Sequence, residues 1–197
     1  RFFMIPALLA VLAMLDTMMM SSLSIARERE EGTFDQLLVA PYTPGEILLG
    51  KGTASVVTGI MQAVFVVLVA MFWFRIPFQG SIWLLSAALL LFIVTAAAIG
   101  LCISSFAQSL QQAIVGTFLL LVPMVMLSGF ATPISSMPEI FQDLTLLNPM
   151  RYGLELIQRI FLEGAGFLDL WPLFAAIMAV AVVAVLAAIF SFHHKIS

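Results

Sequence analysis

Apolar residues run along this chain in five long blocks separated by short polar connections. The blocks cover about residues 3–25, 53–74, 82–104, 113–128 and 170–192. A helix needs about 20 mainly apolar residues to cross the roughly 30 Å hydrocarbon core of a bilayer. The pattern therefore predicts an all-α, polytopic membrane protein with five transmembrane helices. The fourth block is short for a full crossing and contains Pro123, which should kink it.

Composition agrees with this prediction and removes several classes of function. The chain is 62% hydrophobic and 10% charged, whereas soluble domains are about 45–50% apolar and about 25% charged. The net charge of −3 argues against a nucleic-acid partner. The chain has no G-x-S-x-G or H-E-x-x-H motif and both His are terminal, so neither catalytic nor metal-binding residues are predicted. The single cysteine, Cys102, cannot form an intrachain disulfide.

The first apolar block carries one ionisable residue, Asp16, next to Thr17 and the run Met18–Met20. A carboxylate at membrane depth costs about 2.5–3.5 kcal/mol on insertion scales, so it should face protein or water. Two interpretations remain open: a substrate or proton path, and an interhelical hydrogen bond. The methionines fit flexible packing better than soft-metal ligation.

Charge and turn residues replace apolar ones between the first two blocks, over residues 26–51. Arg27–Glu31 reads as a helix that leaves the membrane, and Gly32 should end it. Thr33 can then cap a short helix, with Gln36 as its capping-box partner.

That short helix is predicted over residues 34–40, with apolar positions at Phe34, Leu37 and Leu38. A second helix start follows, in which Thr43 is the cap, Pro44 occupies the first turn and Glu46 completes a T-x-x-E box. The product is a short, capped helix at the membrane face, which suits docking of another protein. A well-capped loop without a partner is the alternative.

Residues 132–167 combine charges with many apolar residues. Asn148 and Pro149 form a typical helix start. The helix that follows separates polar from apolar positions with a period near 3.6, and Arg151, Glu155 and Arg159 lie four apart, where they can pair. Such a helix lies at the membrane interface or packs as a half-buried lid, and a gating role and a purely structural one both remain open.

The positive-inside rule does not decide the orientation of the chain. Five spans put the termini on opposite sides, and each side then receives four basic residues. Arg27, Arg29, Lys51 and Lys195 lie on one side, and Arg1, Arg75, Arg151 and Arg159 on the other.

Three stretches of the chain resemble the ABC-2-type transport permeases, the membrane subunits of ATP-driven exporters. They are AREREEGTFDQLLVAPYTPGEILLGK at 26–51, LCISSFAQSLQQA at 101–113, and the segment 127–166. The last carries the SG…P…MP…NP.R pattern of that family at Ser128, Gly129, Pro133, Met137, Pro138, Asn148, Pro149 and Arg151. The nearest members are drug- or multidrug-type bacterial export permeases.

The resemblance implies a larger architecture. Family members have six membrane helices, with a large extracytoplasmic domain between the first and second, and this chain matches the second to the sixth. Because the sequence starts with Arg1 inside an apolar block, we expect the C-terminal portion of a longer protein, with a processed or trimmed start as the alternative.

The resemblance also implies partners and a location. We expect a bacterial inner-membrane protein that works as a homodimer or heterodimer with a second permease. An ABC ATPase subunit would carry ATP and Mg, and a periplasmic adaptor could join the assembly. This chain has no Walker motif G-x-x-x-x-G-K-[ST], so no cofactor is expected on the chain itself.

Three sets of residues follow as candidates for function. The coupling set faces the ATPase in the cytoplasm: Arg27, Glu28, Arg29, Glu30, Gly32, Thr33, Phe34, Asp35, Leu37 and Leu38. Glu28, Glu30 and Asp35 would pair with basic residues of the ATPase, and Phe34 and Leu37 would fill a groove. Asp16 and Thr17 would line the substrate path. An outer gate would include Pro133, Pro138, Asn148, Pro149 and Arg151.

The predicted function is therefore the permease subunit of an ABC exporter for drug-like or amphipathic substrates. A passive channel or a structural membrane subunit without ATPase coupling is the alternative.

Overall fold

The computed structural model describes residues 3–196 of this 197-residue chain. Arg1, which enters the charge count above, lies outside the described residues. Every regular element from residue 3 to residue 196 is helical, which confirms the predicted all-α class. The main helices are α1 (Met4–Glu31), α2 (Phe34–Val39), α3 (Pro44–Phe72), α4 (Ile82–Phe106), α5 (Leu110–Met126), α6 (Glu139–Leu144), α7 (Pro149–Gln158) and α8 (Phe167–Ile196).

Four helices, α1, α3, α4 and α8, are long and apolar enough to cross a membrane. Their boundaries differ from the predicted blocks because a helix ends where its backbone is capped, which need not be where its apolar residues stop. Thus α1 continues through its charged residues to Glu31, and α3 begins at Pro44, before the block predicted from residue 53. The fifth apolar helix, α5, has 17 residues and is about 25 Å long, which is short, as the sequence predicts.

Helix α1 lies at the centre of the bundle, in contact with α3, α4, α5 and α7. Small residues permit these close approaches, as is usual between membrane helices. Gly59 of α3 lies directly against the Thr17 hydroxyl. At Gly100 of α4, a Cβ atom would lie 2.5 Å from Ser21 Cβ and 2.7 Å from the Met18 carbonyl oxygen.

The three tryptophans of the chain mark one end of this bundle. Trp73 follows the end of α3, while Trp83 and Trp171 lie at the starts of α4 and α8, and all three are largely exposed. Exposed tryptophans at helix ends are typical of a membrane–water interface. We call this the tryptophan end, and it lies opposite the end that holds α2.

The segment between α5 and α8 also lies at the tryptophan end. It contains two 3₁₀ turns, Ile134–Ser136 and Thr145–Leu147, and a π-helical turn, Arg159–Glu163, which directly follows α7. Helix α7 packs into the bundle against α1, α4 and α8. Its Gly153 lies on the ring of Phe92, so closely that a Cβ atom would overlap the ring.

Helix α7 is thus more deeply placed than a helix lying on the membrane interface. Its apolar face includes the buried residues Met150, Leu156 and Ile157. Three helices cover this face. On the polar face, Arg159 pairs with Glu155 at 3.7 Å, as predicted. The prediction is wrong for Arg151, because its guanidinium turns back and donates to the Thr145 hydroxyl at 2.7 Å.

Substituting Gly100 with Ala tests the close packing of α1 on α4. The added Cβ meets the Met18 backbone and Ser21, so we expect a loss of about 1–3 kcal/mol of stability, which is typical of overpacking. Thermal unfolding in detergent measures the effect. Gly50→Ala is the matched control, because a Cβ at Gly50 meets no atom of the described chain within 4 Å; equal unfolding temperatures for the two variants would contradict the packing described.

Candidate functional site

Three consecutive charged residues near the end of α1 each contact a different helix. Successive residues of a helix point in different directions, so Glu28, Arg29 and Glu30 can reach three neighbours at once. They contact α3, the end of α4 and the start of α5, respectively. We call these three residues the charged hub.

Glu28 joins α1 to α3 through an ion pair with Lys51. The Lys51 Nζ atom donates to Glu28 Oε1 at 2.5 Å, and the two side chains are only 17% and 25% exposed. Water screens such a pair less than an exposed one. The other carboxylate oxygen of Glu28 is buried and has no partner among residues 3–196. The pair is therefore a fixed contact between two membrane helices.

Arg29 joins α1 to the carboxyl end of α4. Its guanidinium donates to the carbonyl oxygens of Ser105 at 2.7 Å and Ala107 at 2.9 Å. The last carbonyls of a helix lack intrahelical donors and carry partial negative charge, so a cation there is stabilising. The same guanidinium lies 4.7 Å from the ring centroid of Phe34, within cation–π distance.

Glu30 joins α1 to the amino end of α5. Its carboxylate accepts the backbone N–H of Leu110, the first residue of α5, at 2.6 Å. A negative charge at a helix amino end is favourable for the same reason that a cation is favourable at the other end. Arg29 and Glu30 thus hold both sides of the short α4–α5 connection.

Helix α2 is attached to this hub through Phe34. The Phe34 ring packs edge-on against Phe192 of α8, with centroids 6.4 Å apart, and lies on a small cluster that includes Ile25 and Leu48. The structure therefore turns Phe34 toward the bundle, where it is half-buried, although the sequence suggested that it fills a groove of a partner. Its inward position follows from Gly32, whose left-handed conformation (φ 76°) ends α1 and turns the chain sharply.

The two predicted capping boxes of this segment have different outcomes. The Thr43–Glu46 box is confirmed, because the Glu46 N–H donates to Thr43 Oγ1 at 3.4 Å and the Thr43 N–H donates to Glu46 Oε2 at 2.7 Å. The Thr33–Gln36 box is wrong. Thr33 has a helical backbone (φ −89°, ψ −5°), and its hydroxyl donates to the Glu28 carbonyl at 3.4 Å.

The remaining coupling residues form the free side of α2. Asp35 is exposed, and so are Leu38 and Val39, the latter 86% exposed. Tyr42, which the sequence analysis did not select, is 64% exposed just beyond α2. Leu37 is half-buried and Arg27 is exposed. The segment thus has an inner face that binds the bundle and an outer face with apolar and acidic side chains.

The predicted substrate-path residues lie away from the hub, in the middle of α1. Thr17 is fully buried, and its hydroxyl has no hydrogen-bond partner in the described part of the chain. Asp16 is half-buried. Residues 3–196 contain no group of three or more His, Cys, Asp or Glu placed to hold a metal ion.

The predicted outer-gate residues are at the tryptophan end. Asn148 caps α7 by accepting the Met150 N–H at 3.0 Å, as predicted, and its side-chain amide also donates to the Met124 carbonyl of α5 at 2.7 Å. Pro149 is buried in the first turn of α7. Pro133 and Pro138 are exposed and precede the first 3₁₀ turn and α6.

Residues 1–162 match the family described as ABC-2 type transporter. The chain is 36% identical over 177 residues to the "Probable multidrug ABC transporter permease YbhR" of Escherichia coli K12, covering 88% of this chain and 48% of that protein. It is 38% identical over 160 residues to the "Inner membrane transport permease YhhJ" of the same strain, covering 80% and 42%.

A third relative is "Nodulation protein J" of Sinorhizobium fredii, 30% identical over 151 residues, covering 73% of this chain and 54% of that protein. The chain spans about half the length of these curated relatives.

Replacing Glu30 with Ala tests the contact between the hub and α5. Loss of the acceptor leaves the Leu110 N–H without its partner, and such a bond contributes about 0.5–1.5 kcal/mol. We expect hydrogen exchange at the Leu110 amide to become about three- to tenfold faster in lipid nanodiscs. Glu31→Ala, which removes a neighbouring exposed carboxylate, is the control; if both variants exchange alike, the contact does not order α5.

Proposed function

Because the chain belongs to the ABC-2 type transporter family, we propose that it forms part of the membrane path of an exporter driven by a separate ATPase subunit. The charged hub with its attached helix α2 is the observation that carries this proposal. It offers a docking face on one side and connections to four membrane helices on the other.

The ATPase would dock on the free side of α2. This face presents Leu38, Val39 and Tyr42 as apolar contacts, with the Asp35 carboxylate beside them to attract a basic residue. This proposal leaves Phe34, Glu28 and Glu30 out of the docking surface, because each contacts a residue of another helix in the chain. Their role in the proposal is to transmit movement.

Movement of α2 would reach the membrane helices through fixed contacts. Phe34 connects α2 to α8, and the hub connects the end of α1 to α3, α4 and α5. Side chains packed in this way transmit displacement because a packed interior is not freely compressible. ATP-driven closure of the partner would therefore move several helices together.

The complete transporter would contain two permease copies, identical or different, and ATPase subunits that bind ATP and Mg. It would lie in the bacterial inner membrane, with α2 in the cytoplasm and the tryptophan end outside, where a periplasmic adaptor could join it. We expect the substrates to be drug-like or amphipathic. Both Escherichia coli relatives are named permeases, and one of them is named a probable multidrug ABC transporter permease.

Substituting Val39 with Glu tests the docking surface. Val39 is 86% exposed, so the change should leave folding intact while placing a charge in an apolar contact. We expect at least tenfold less ATPase subunit to co-purify with the full-length protein, together with loss of permease-dependent ATP hydrolysis. Gln111→Glu adds the same charge at an exposed position of α5. This control should retain both the binding of the ATPase subunit and the permease-dependent ATP hydrolysis.

Retention of ATPase binding by Val39→Glu would show that docking occurs elsewhere. If no ATPase subunit co-purifies with the unsubstituted protein, and reconstituted vesicles conduct without ATP, the protein is a passive channel and the proposal fails.

Substituting Asp16 with Asn tests the substrate path independently. If Asp16 lines that path, removal of its charge should change relative export rates at least threefold across a panel of cationic and neutral fluorescent dyes in ATP-loaded vesicles. Thr53→Val, an exposed substitution near the start of α3, is the control. An unchanged profile for Asp16→Asn would remove it from the path.

A further inference from the structure

We propose that the α3–α4 connection and the π turn form a backbone clasp that keeps the tryptophan end closed and releases during export. This inference rests on the transport function proposed above. The clasp is defined by Phe78, Gln79 and Gly80 of the connection and by Ile160, Phe161 and Gly164 beside it.

The first observation is a hydrogen bond between two segments far apart in sequence. The Gln79 N–H donates to the Phe161 carbonyl at 3.2 Å. Phe161 lies within the π turn Arg159–Glu163, which ends at Gly164. The last carbonyls of a helix have no intrahelical donor, so the Phe161 carbonyl is available to the connecting loop.

The second observation is direct backbone contact on both sides of this bond. Gly80 lies against the Ile160 carbonyl, so that a Cβ atom at Gly80 would overlap the carbonyl oxygen. A Cβ at Gly164 would lie 2.7 Å from the Gln79 carbonyl oxygen. Gly164 also has φ 62°, a conformation that favours glycine. Both glycines therefore allow the two chains to touch.

The third observation is that the loop side of the clasp is lightly held. Phe78 is half-buried and packs edge-on against Phe161, with centroids 5.1 Å apart, whereas Ile160 and Phe161 on the other side are buried in the main core. Within residues 75–80, Ile76 alone is buried. Gln79 is exposed, and the connection from residue 75 to residue 79 has no regular structure. Segments with few buried contacts open at low free-energy cost, whereas α7 itself is packed among three helices.

The two helices that this connection joins are those that the hub holds at the opposite end. Lys51 of α3 pairs with Glu28, and the α4 terminus accepts hydrogen bonds from Arg29. A displacement at the hub would therefore tilt α3 and α4 and pull on the loop between them. The clasp is the contact on which that pull acts.

A cysteine pair tests this inference in the full-length protein with its ATPase subunit in vesicles. Gln79→Cys and Gly164→Cys are introduced together, with Cys102→Ala. A Cβ atom added at Gly164 would lie 3.3 Å from the Gln79 Cβ, close to the range of about 3.5–4.5 Å found in disulfides. We expect rapid disulfide formation without nucleotide, and formation at least tenfold slower when a hydrolysis-deficient ATPase subunit is held in its ATP-bound state.

Gln79→Cys with Gly166→Cys is the matched control, because a Cβ at Gly166 meets nothing within 4 Å in the described chain. This pair should crosslink slowly in both states. Equal crosslinking rates for the test pair with and without ATP would overturn the clasp. If the test pair forms no crosslink without nucleotide, the exchange rate of the Gln79 amide in the unsubstituted protein decides.

Hydrogen exchange of the unsubstituted protein provides a second measurement, should the Gly164 substitution impair folding. The Gln79 amide should exchange at least tenfold faster in the ATP-bound state, and an unchanged rate would also overturn the clasp. If the ATPase co-purifies and hydrolyses ATP in these samples, such a failure concerns the clasp alone and not the proposed function.

Discussion

The organisation of this protein depends on where the charges at the end of α1 find partners. The ends of helices leave backbone carbonyl and N–H groups without intrahelical partners. Arg29 donates to carbonyls at the end of α4, Glu30 accepts an N–H at the start of α5, and Lys51 of α3 pairs with Glu28. Three residues in a row therefore determine how three neighbouring helices are arranged around α1.

The opposite end of the bundle is organised by different forces. The contacts between its segments are glycine against backbone, ring against ring, and the Asn148 side chain, which bonds both α7 and α5. Such contacts depend on shape more than on charge, and salt screens them little. The ion pairs of Arg159 at this end are local to α7 and the π turn and partly exposed. One end of the molecule is thus fixed mainly by electrostatics and the other mainly by close fit, with an apolar core between them.

Local signals in the sequence predicted the features that depend on local chemistry. The apolar blocks, the Thr43–Glu46 box and the Asn148–Pro149 start are all observed, because each is specified by residues within a few positions. Contacts between residues that are distant in sequence could not be predicted in the same way. Phe34 was placed on the outside since a short amphipathic helix does not reveal which of its faces meets the bundle, and Glu28 and Glu30 were assigned to another protein because Lys51 and Leu110 are distant in sequence. For α7, periodicity identified an apolar face but not the three helices that cover it.

The shortness of α5 has a consequence for the surrounding lipid. Its 17 residues span about 25 Å, less than the roughly 30 Å of an ordinary hydrocarbon core, and much of its surface faces away from the bundle. Beside a helix shorter than the hydrocarbon core, the bilayer thins, flanking side chains reach to the interface, or another protein covers the helix, each at a modest cost. Bilayer thickness therefore acts on this molecule unevenly around its circumference, with the mismatch at one helix.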